Sequence, residues 1–178
     1  MKFLSVVFIG IVIQSCTQPH KTPKTVIMEN TTAKNNPYYS RTDHTKLHVT
    51  NAEWKKILDP DVYAIAREAN TERPGTGKYN NFDGLGEYYC AVCGNHLFRS
   101  DAKFASTCGW PSFFEAEKEG VTYKRDSAFG MERTEVLCKR CDSHLGHVFN
   151  DGPPPTGTRF CMNSVSLDFV PDIKKETN

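Results

Sequence analysis

The chain has 178 residues, enough for one ordinary domain plus appendages. Lys and Arg number 22 against 21 Asp and Glu, a formal charge of +1, which removes any electrostatic reason to invoke nucleic acid or another polyanion as partner. Seven cysteines is a high count, and their spacing says more than their number.

The first element is "MKFLSVVFIGIVIQSC", with Lys2, an apolar run from Phe3 to Ile13, and Cys16 after "QS". A helix of that length spans about 17 Å, short of a hydrocarbon core of about 30 Å. Residues 1–16 therefore read as an export signal rather than a membrane span. "IQSC" resembles the lipobox of bacterial lipoproteins, which implies lipidation at Cys16, although Gln14 stands where a small residue is usual. An ordinary cleaved signal with an incidental cysteine is the alternative. Both take the mature protein out of the cytoplasm, to a bacterial cell envelope or periplasm, and lipidation would leave the lipid anchor as its membrane contact. Residues 17–47, rich in Thr, Asn, Lys and Pro, read as a disordered tether.

Structure is expected from residue 48. In "TNAEWKKIL" Thr50 is a helix cap with Glu53 three residues on, and Trp54, Ile57 and Leu58 share a face. "DPDVYAIAREAN" begins a second helix with Pro60 in its first turn, and Val62, Ile65, Ala66 and Ala69 on its inner side. Beyond "RPGTG", short segments such as "GEYYCAVC", "GVTYKR", "AFGMERTEVLC", "HLGHVFND", "TRFCMNS" and "SVSLDFV" alternate with turn residues, the pattern of short antiparallel strands. The fold class is mainly β (α+β), with an N-terminal helical annex; the domain runs over 48–171 and 172–178 is a tail.

"CAVC" supplies Cys90 and Cys93, and "CKRC" supplies Cys138 and Cys141. Two such knuckles complete a tetrahedral four-thiolate zinc site. Structural disulfides are the competing reading for an exported chain, and a redox CxxC lacks its βαβ context here. A closed site of this kind stabilises the fold and leaves no position open for substrate.

Cys108 and Cys161 remain. Cys108 sits beside Trp110 in "STCGWPSFF", which reads as a loop. Alternation in "TRFCMNS" puts Arg159, Cys161 and Asn163 on one strand face and Phe160 and Met162 on the other. Arg159 and a histidine brought in by the fold would favour a Cys161 thiolate and make it a nucleophile. A static Cys108–Cys161 bridge explains the same residues equally well, and residue types alone leave both readings standing.

Several motifs in order nevertheless resemble the B-type methionine-R-sulfoxide reductases: "TERPGTGKY", "CAVC", "LFRSDAKF", "CGWPSF", "CKRC", and "SHLGHVFNDGPPPTG" followed by "TRFCMNS". The resemblance implies two small antiparallel β-sheets with N-terminal helices and a four-cysteine zinc site away from the active site. It implies reduction of the R epimer of methionine sulfoxide, free or in peptides, by a protein expected to be a monomer. Cys161 matches the catalytic cysteine, Cys108 the resolving cysteine, His144, His147 and Asn163 the polar residues of the active site, and Trp110 the aromatic that receives the S-methyl group. Arg159 is placed on the substrate side, lowering the Cys161 thiol pKa. The implied partners are oxidised proteins or peptides and a thioredoxin-like reductant. Thr107 and Gly75 depart from the family pattern, and Thr107 is expected to slow the loop motion that brings Cys108 to Cys161.

Overall fold

Among the described residues two short helices come first, where their caps lie. In the computed structural model, which describes residues 35–173, α1 spans Asn51–Ile57, and the Thr50 hydroxyl accepts from the Glu53 amide. Helix α2 spans Pro60–Glu68, begins on its proline and buries Val62, Ile65 and Ala66. Ala69 is not on that inner face. It is the exposed C-cap in left-handed conformation (φ 54°), because the helix ends there.

Nine strands follow among the described residues: β1 (Gly86–Cys90), β2 (His96–Arg99), β3 (Lys103–Phe104), β4 (Ser112–Phe113), β5 (Val121–Asp126), β6 (Arg133–Cys138), β7 (His144–Phe149), β8 (Arg159–Met162) and β9 (Leu167–Pro171). They form two antiparallel sheets, in the orders β2-β1-β9 and β3-β4-β8-β7-β6-β5. The expected architecture of two sheets with N-terminal helices is present. The loop expected at "STCGWPSFF" ends in β4, whose Ser112 and Phe113 pair with Cys161 and Phe160.

Aromatic rings join the sheets. Phe113 stacks on Phe98 at 4.4 Å and meets Tyr88 edge-on at 5.0 Å, while Phe160 reaches Phe98 at 5.6 Å. Burying these rings at about 25 cal/mol per Å² supplies much of the cohesion. It also fixes which face of β8 looks outward. With Phe160 and Met162 in the core, Arg159 and Cys161 must lie on the other side.

Residues 35–47 depart from the tether reading. Asn36 is buried and donates to the Val92 carbonyl at 2.7 Å. The Ser40 amide donates to the Cys93 carbonyl and the Leu47 amide to the Arg140 carbonyl. Arg140, buried inside the second knuckle, donates to the carbonyls of Tyr38, Thr45 and Cys93 and pairs with Asp43 at 2.9 Å. Tyr38 adds an edge-on contact to Trp54. The segment is polar in composition because it satisfies backbone groups and a buried cation, and low hydrophobicity here signals a strap. A chain starting at residue 48 leaves Arg140 without three of these acceptors, and a loss of about 3 kcal/mol is expected. Paired thermal and urea melts check it.

The readings of residues 1–16 as signal with Cys16 lipidated, of 17–34 as tether and of 174–178 as tail fall outside the described residues. Among the described residues no helix is long and apolar enough to cross a membrane.

Candidate active site and metal centre

The register of the larger sheet sets out the first site. Cys161 on β8 has Ser112 of β4 on one side and His147 of β7 on the other, and His147 in turn faces Glu135 of β6. Residues paired across strands share a face, so these groups form one row on the outward side. His144 would fall on the opposite face under strict alternation. The pairing slips between Val136 and Leu137, setting Leu137 against His144 and leaving Leu145 as the extra residue. This bulge returns His144 to the side of His147, their rings edge-on at 5.5 Å.

Next to Cys161 lies a cleft of about 110 Å³, lined by Thr71, Trp110, Arg133, Gly146, His147, Phe149, Cys161 and Asn163. Gly146 is required by close approach, because a Cβ there would sit 2.1 Å from the Cys161 carbonyl oxygen. Trp110, His147, Cys161 and Asn163 thus come together as the sequence suggests. His144 sits behind them, buried, with Nδ1 2.8 Å from a Glu135 carboxylate oxygen. Burial lowers its pKa against the opposing pull of Glu135. Both polar atoms of the Asn163 side chain have partners: Oδ1 accepts from the Glu72 amide at 3.0 Å and Nδ2 donates to the Leu145 carbonyl at 3.2 Å.

Sequence reasoning missed the groups that hold these residues. Asp126 lies 2.8 Å from His147 Nε2 and pairs with Arg133 at 2.7 Å. The Ala128 amide, followed by His147 and Arg133, holds its carboxyl down at about 2, so at neutral pH the His147 ring faces an anion. No spacing rule links Asp126 to His147. Only the β5-β6-β7 ladder brings them together.

The two sulfurs are already adjacent. Cys108 Sγ lies 3.6 Å from Cys161 Sγ, and both thiols are free. Closing to a bond of about 2.05 Å needs only a small torsional change, so no large loop swing past Thr107 is required. Gly109 makes the turn possible at φ 93°, with Pro74 packed where a side chain would go.

Electrostatics correct the expectation for Cys161. Burial, then the neighbouring Cys108, pushes its thiol up to about 12, and Arg159 lowers it without offsetting those effects. Arg159 is largely committed elsewhere, with Nε and Nη2 each 2.8 Å from Asp151 and the guanidinium over the Phe149 ring. It is absent from the cleft lining. Cys108 moves the other way. Burial would raise it, but hydrogen bonding with Ser106, Ser112, the Trp110 backbone and Cys161 outweighs that and brings it to about 7.

The second site joins the sheets. Cys90 ends β1 and Cys138 ends β6, and each begins a knuckle of the same design. The Gly94 amide donates to the Cys90 carbonyl and the Asp142 amide to that of Cys138, at 2.8 and 2.9 Å. The residue after each second cysteine is left-handed, Gly94 at φ 76° and Asp142 at φ 58°. The sulfurs of Cys90, Cys93, Cys138 and Cys141 all lie within 4.8 Å of one another and could hold a metal ion. Cys90 and Cys141 are 3.8 Å apart, and Cys93 and Cys138 3.6 Å. A tetrahedron with metal–sulfur bonds of about 2.3 Å has edges of about 3.8 Å, so the donor set fits zinc. Without a cation, burial raises the Cys90 and Cys138 thiols well above their ordinary range.

The SelR domain family model matches residues 58–171. The chain is 54% identical over 127 residues to a protein of Pseudomonas fluorescens named peptide methionine sulfoxide reductase MsrB, covering 71% of this chain and 98% of the relative. Relatives of the same name are 53% identical in Herminiimonas arsenicoxydans (73% of this chain, 97% of the relative) and 56% identical in Thiobacillus denitrificans (68% and 93%).

Proposed function

Because the chain belongs to the SelR domain family, as an oxidoreductase of the peptide methionine sulfoxide reductase class, we propose that it acts on the R epimer through a cysteine sulfenic acid. The observation that carries this reading is the Cys108–Cys161 pair, 3.6 Å apart, at a cleft that also presents Trp110 and His147. The substrate's S-methyl group packs on the Trp110 indole, and its oxygen faces His147, with His144 behind. Cys161 Sγ attacks the sulfoxide sulfur. The S–O bond breaks as oxygen passes to Cys161, the thiol proton ends on that oxygen, and the thioether leaves. Cys108 then attacks the sulfenic sulfur, releasing water and forming a disulfide. A dithiol donor of the thioredoxin-like class reduces that bond and is itself oxidised.

His147 is the group beside the developing oxyanion, and Asp126 orients its ring. Asn163 acts through Leu145 and Glu72 to fix the end of β8. Arg159 bears on Cys161 electrostatically while Asp151 holds it in place. At the other site Cys90, Cys93, Cys138 and Cys141 hold a structural zinc. Residues 1–16 direct export, so the donor is a thioredoxin-like protein of the same compartment.

Stereochemistry provides the test. If Trp110 receives methyl and His147 receives oxygen, exchanging the epimer exchanges those sites. With dithiothreitol as reductant, peptide methionine R-sulfoxide is expected to be consumed while the S epimer persists, as read by chiral chromatography. Consumption of the S epimer at a similar rate defeats the assignment. Trp110→Ala is expected to lower kcat/KM about 10-fold, since an apolar contact of this size contributes about 1–3 kcal/mol.

A further inference from the structure

Glu72 enters the reading above only through its amide's hydrogen bond to Asn163, yet it sits in a segment, residues 71–79, that borders the cleft. Its contacts are unusually concentrated. Its carbonyl accepts the Trp110 indole N–H at 3.1 Å, and its amide donates to Asn163 Oδ1 at 3.0 Å. The carboxylate accepts from two successive backbone amides, Ser164 at 2.7 Å and Val165 at 3.1 Å. One residue therefore grips the loop that carries the indole and, on its other side, the chain just past Cys161. The neighbouring structure closes around this grip. A Cβ at Gly77 would sit 2.4 Å from the Glu72 carboxylate and 2.2 Å from Ser164 Oγ, and the Gly75 amide donates to the Gly109 carbonyl.

We infer that Glu72 is a positioning residue, which fixes the Trp110 ring relative to Cys161 by anchoring its own backbone to residues 163–165. The mechanical logic is direct. The indole is held by the Glu72 carbonyl, not by its side chain, so the bond is only as fixed as the peptide that carries it. Two charge-assisted bonds, donated to the carboxylate by amides that start a 3₁₀ turn, supply that fixity. Because the indole faces the cleft, loosening it enlarges the methyl site without touching the thiol. The claim rests on the proposed reaction for its kinetic consequence, but its structural content stands apart from it.

The experiment compares Glu72→Ala and Glu72→Gln with the unaltered chain. In ¹⁵N spectra the Trp110 indole N–H, assigned through Trp110→Phe, is expected to shift and to exchange with solvent about 10-fold faster in Glu72→Ala. Toward peptide methionine R-sulfoxide, KM is expected to rise about 10-fold with kcat within about 3-fold, and alkylation of Cys161 by iodoacetamide to be unchanged. Glu72→Gln retains one acceptor and is expected to recover part of both effects, and it serves if the alanine variant does not fold. An indole signal unmoved in the folded variants overturns the inference whether or not the chain turns over sulfoxide. So does a fall in kcat at constant KM. Failure of the unaltered chain to reduce sulfoxide would instead strike the proposed function and leave the indole measurement to decide on Glu72.

Discussion

Cys161→Ser is expected to reduce sulfoxide turnover at least about 1,000-fold with any reductant, the scale seen when a nucleophile is removed and binding remains. Cys108→Ser is expected to behave differently. It should release one equivalent of methionine per chain and then stop with a thioredoxin-like donor, because no disulfide forms for the donor to attack. Small dithiols, which reach the sulfenic acid directly, should still support turnover. Sustained turnover of Cys108→Ser with the protein donor would show that Cys108 does not resolve the intermediate. Quenched-flow product counting separates these cases.

The same variant has a pH consequence whose sign is fixed by the structure. Cys108 is the thiol that ionises first, near pH 7, and its negative charge 3.6 Å away is one reason that Cys161 stands up at about 12. Removing Cys108 removes that contribution, so Cys161 should ionise at lower pH in Cys108→Ser than in the unaltered chain. Burial still holds it above the free-thiol value. Iodoacetamide alkylation followed by mass spectrometry across pH 6–11 reads this as a leftward shift of the Cys161 profile; no shift would show that the two sulfurs are electrostatically uncoupled. A neutral resting nucleophile also suits the chemistry. The proton leaves Cys161 during attack, so stray peroxide meets a thiol rather than a thiolate.

How much of this was legible in the sequence follows from the range of each interaction. Cys90, Cys93, Cys138 and Cys141 were readable because ligand geometry demands a short fixed spacer, and Phe160 and Met162 because burial follows a period of two. Thr50 was readable because a cap acts over three residues. The bulge at Leu145 was not, since it violates the very alternation used to place side chains. Its product, two histidines on one face at a separation of three, came from family resemblance alone. Asp126 and Glu135 were missed because they reach the histidines across strands, with no local signature. Residues 35–47 were misread for a related reason: hydrogen bonds to Cys93, Val92 and Arg140 are long-range and leave a polar composition indistinguishable from a linker. The thiol state of Cys161 depended on how deeply β8 is covered, which no residue list contains.

At the other sulfur cluster, Cys138→Ser is expected to lose the metal and most of the stability. Cys90 and Cys138 terminate strands of different sheets, so an ion held between the knuckles would tie the smaller sheet to the larger. Binding free energy at such a site is folding free energy, about 10–16 kcal/mol for zinc-finger peptides at neutral pH. That is comparable to the whole stability of a typical domain, about 5–15 kcal/mol. A serine hydroxyl does not replace a thiolate ligand, and it leaves three buried sulfurs that cannot all ionise without a cation. Elemental analysis is expected to find one zinc per chain in the unaltered protein and none in Cys138→Ser, whose cooperative melt should disappear or fall by tens of degrees. A second route avoids the substitution: prolonged chelation at elevated temperature should unfold the unaltered chain, and added zinc under reducing conditions should restore its melt. A metal-free variant that folds and melts as the unaltered chain does would remove zinc from the account and leave the sheets joined by aromatic packing and the strap alone.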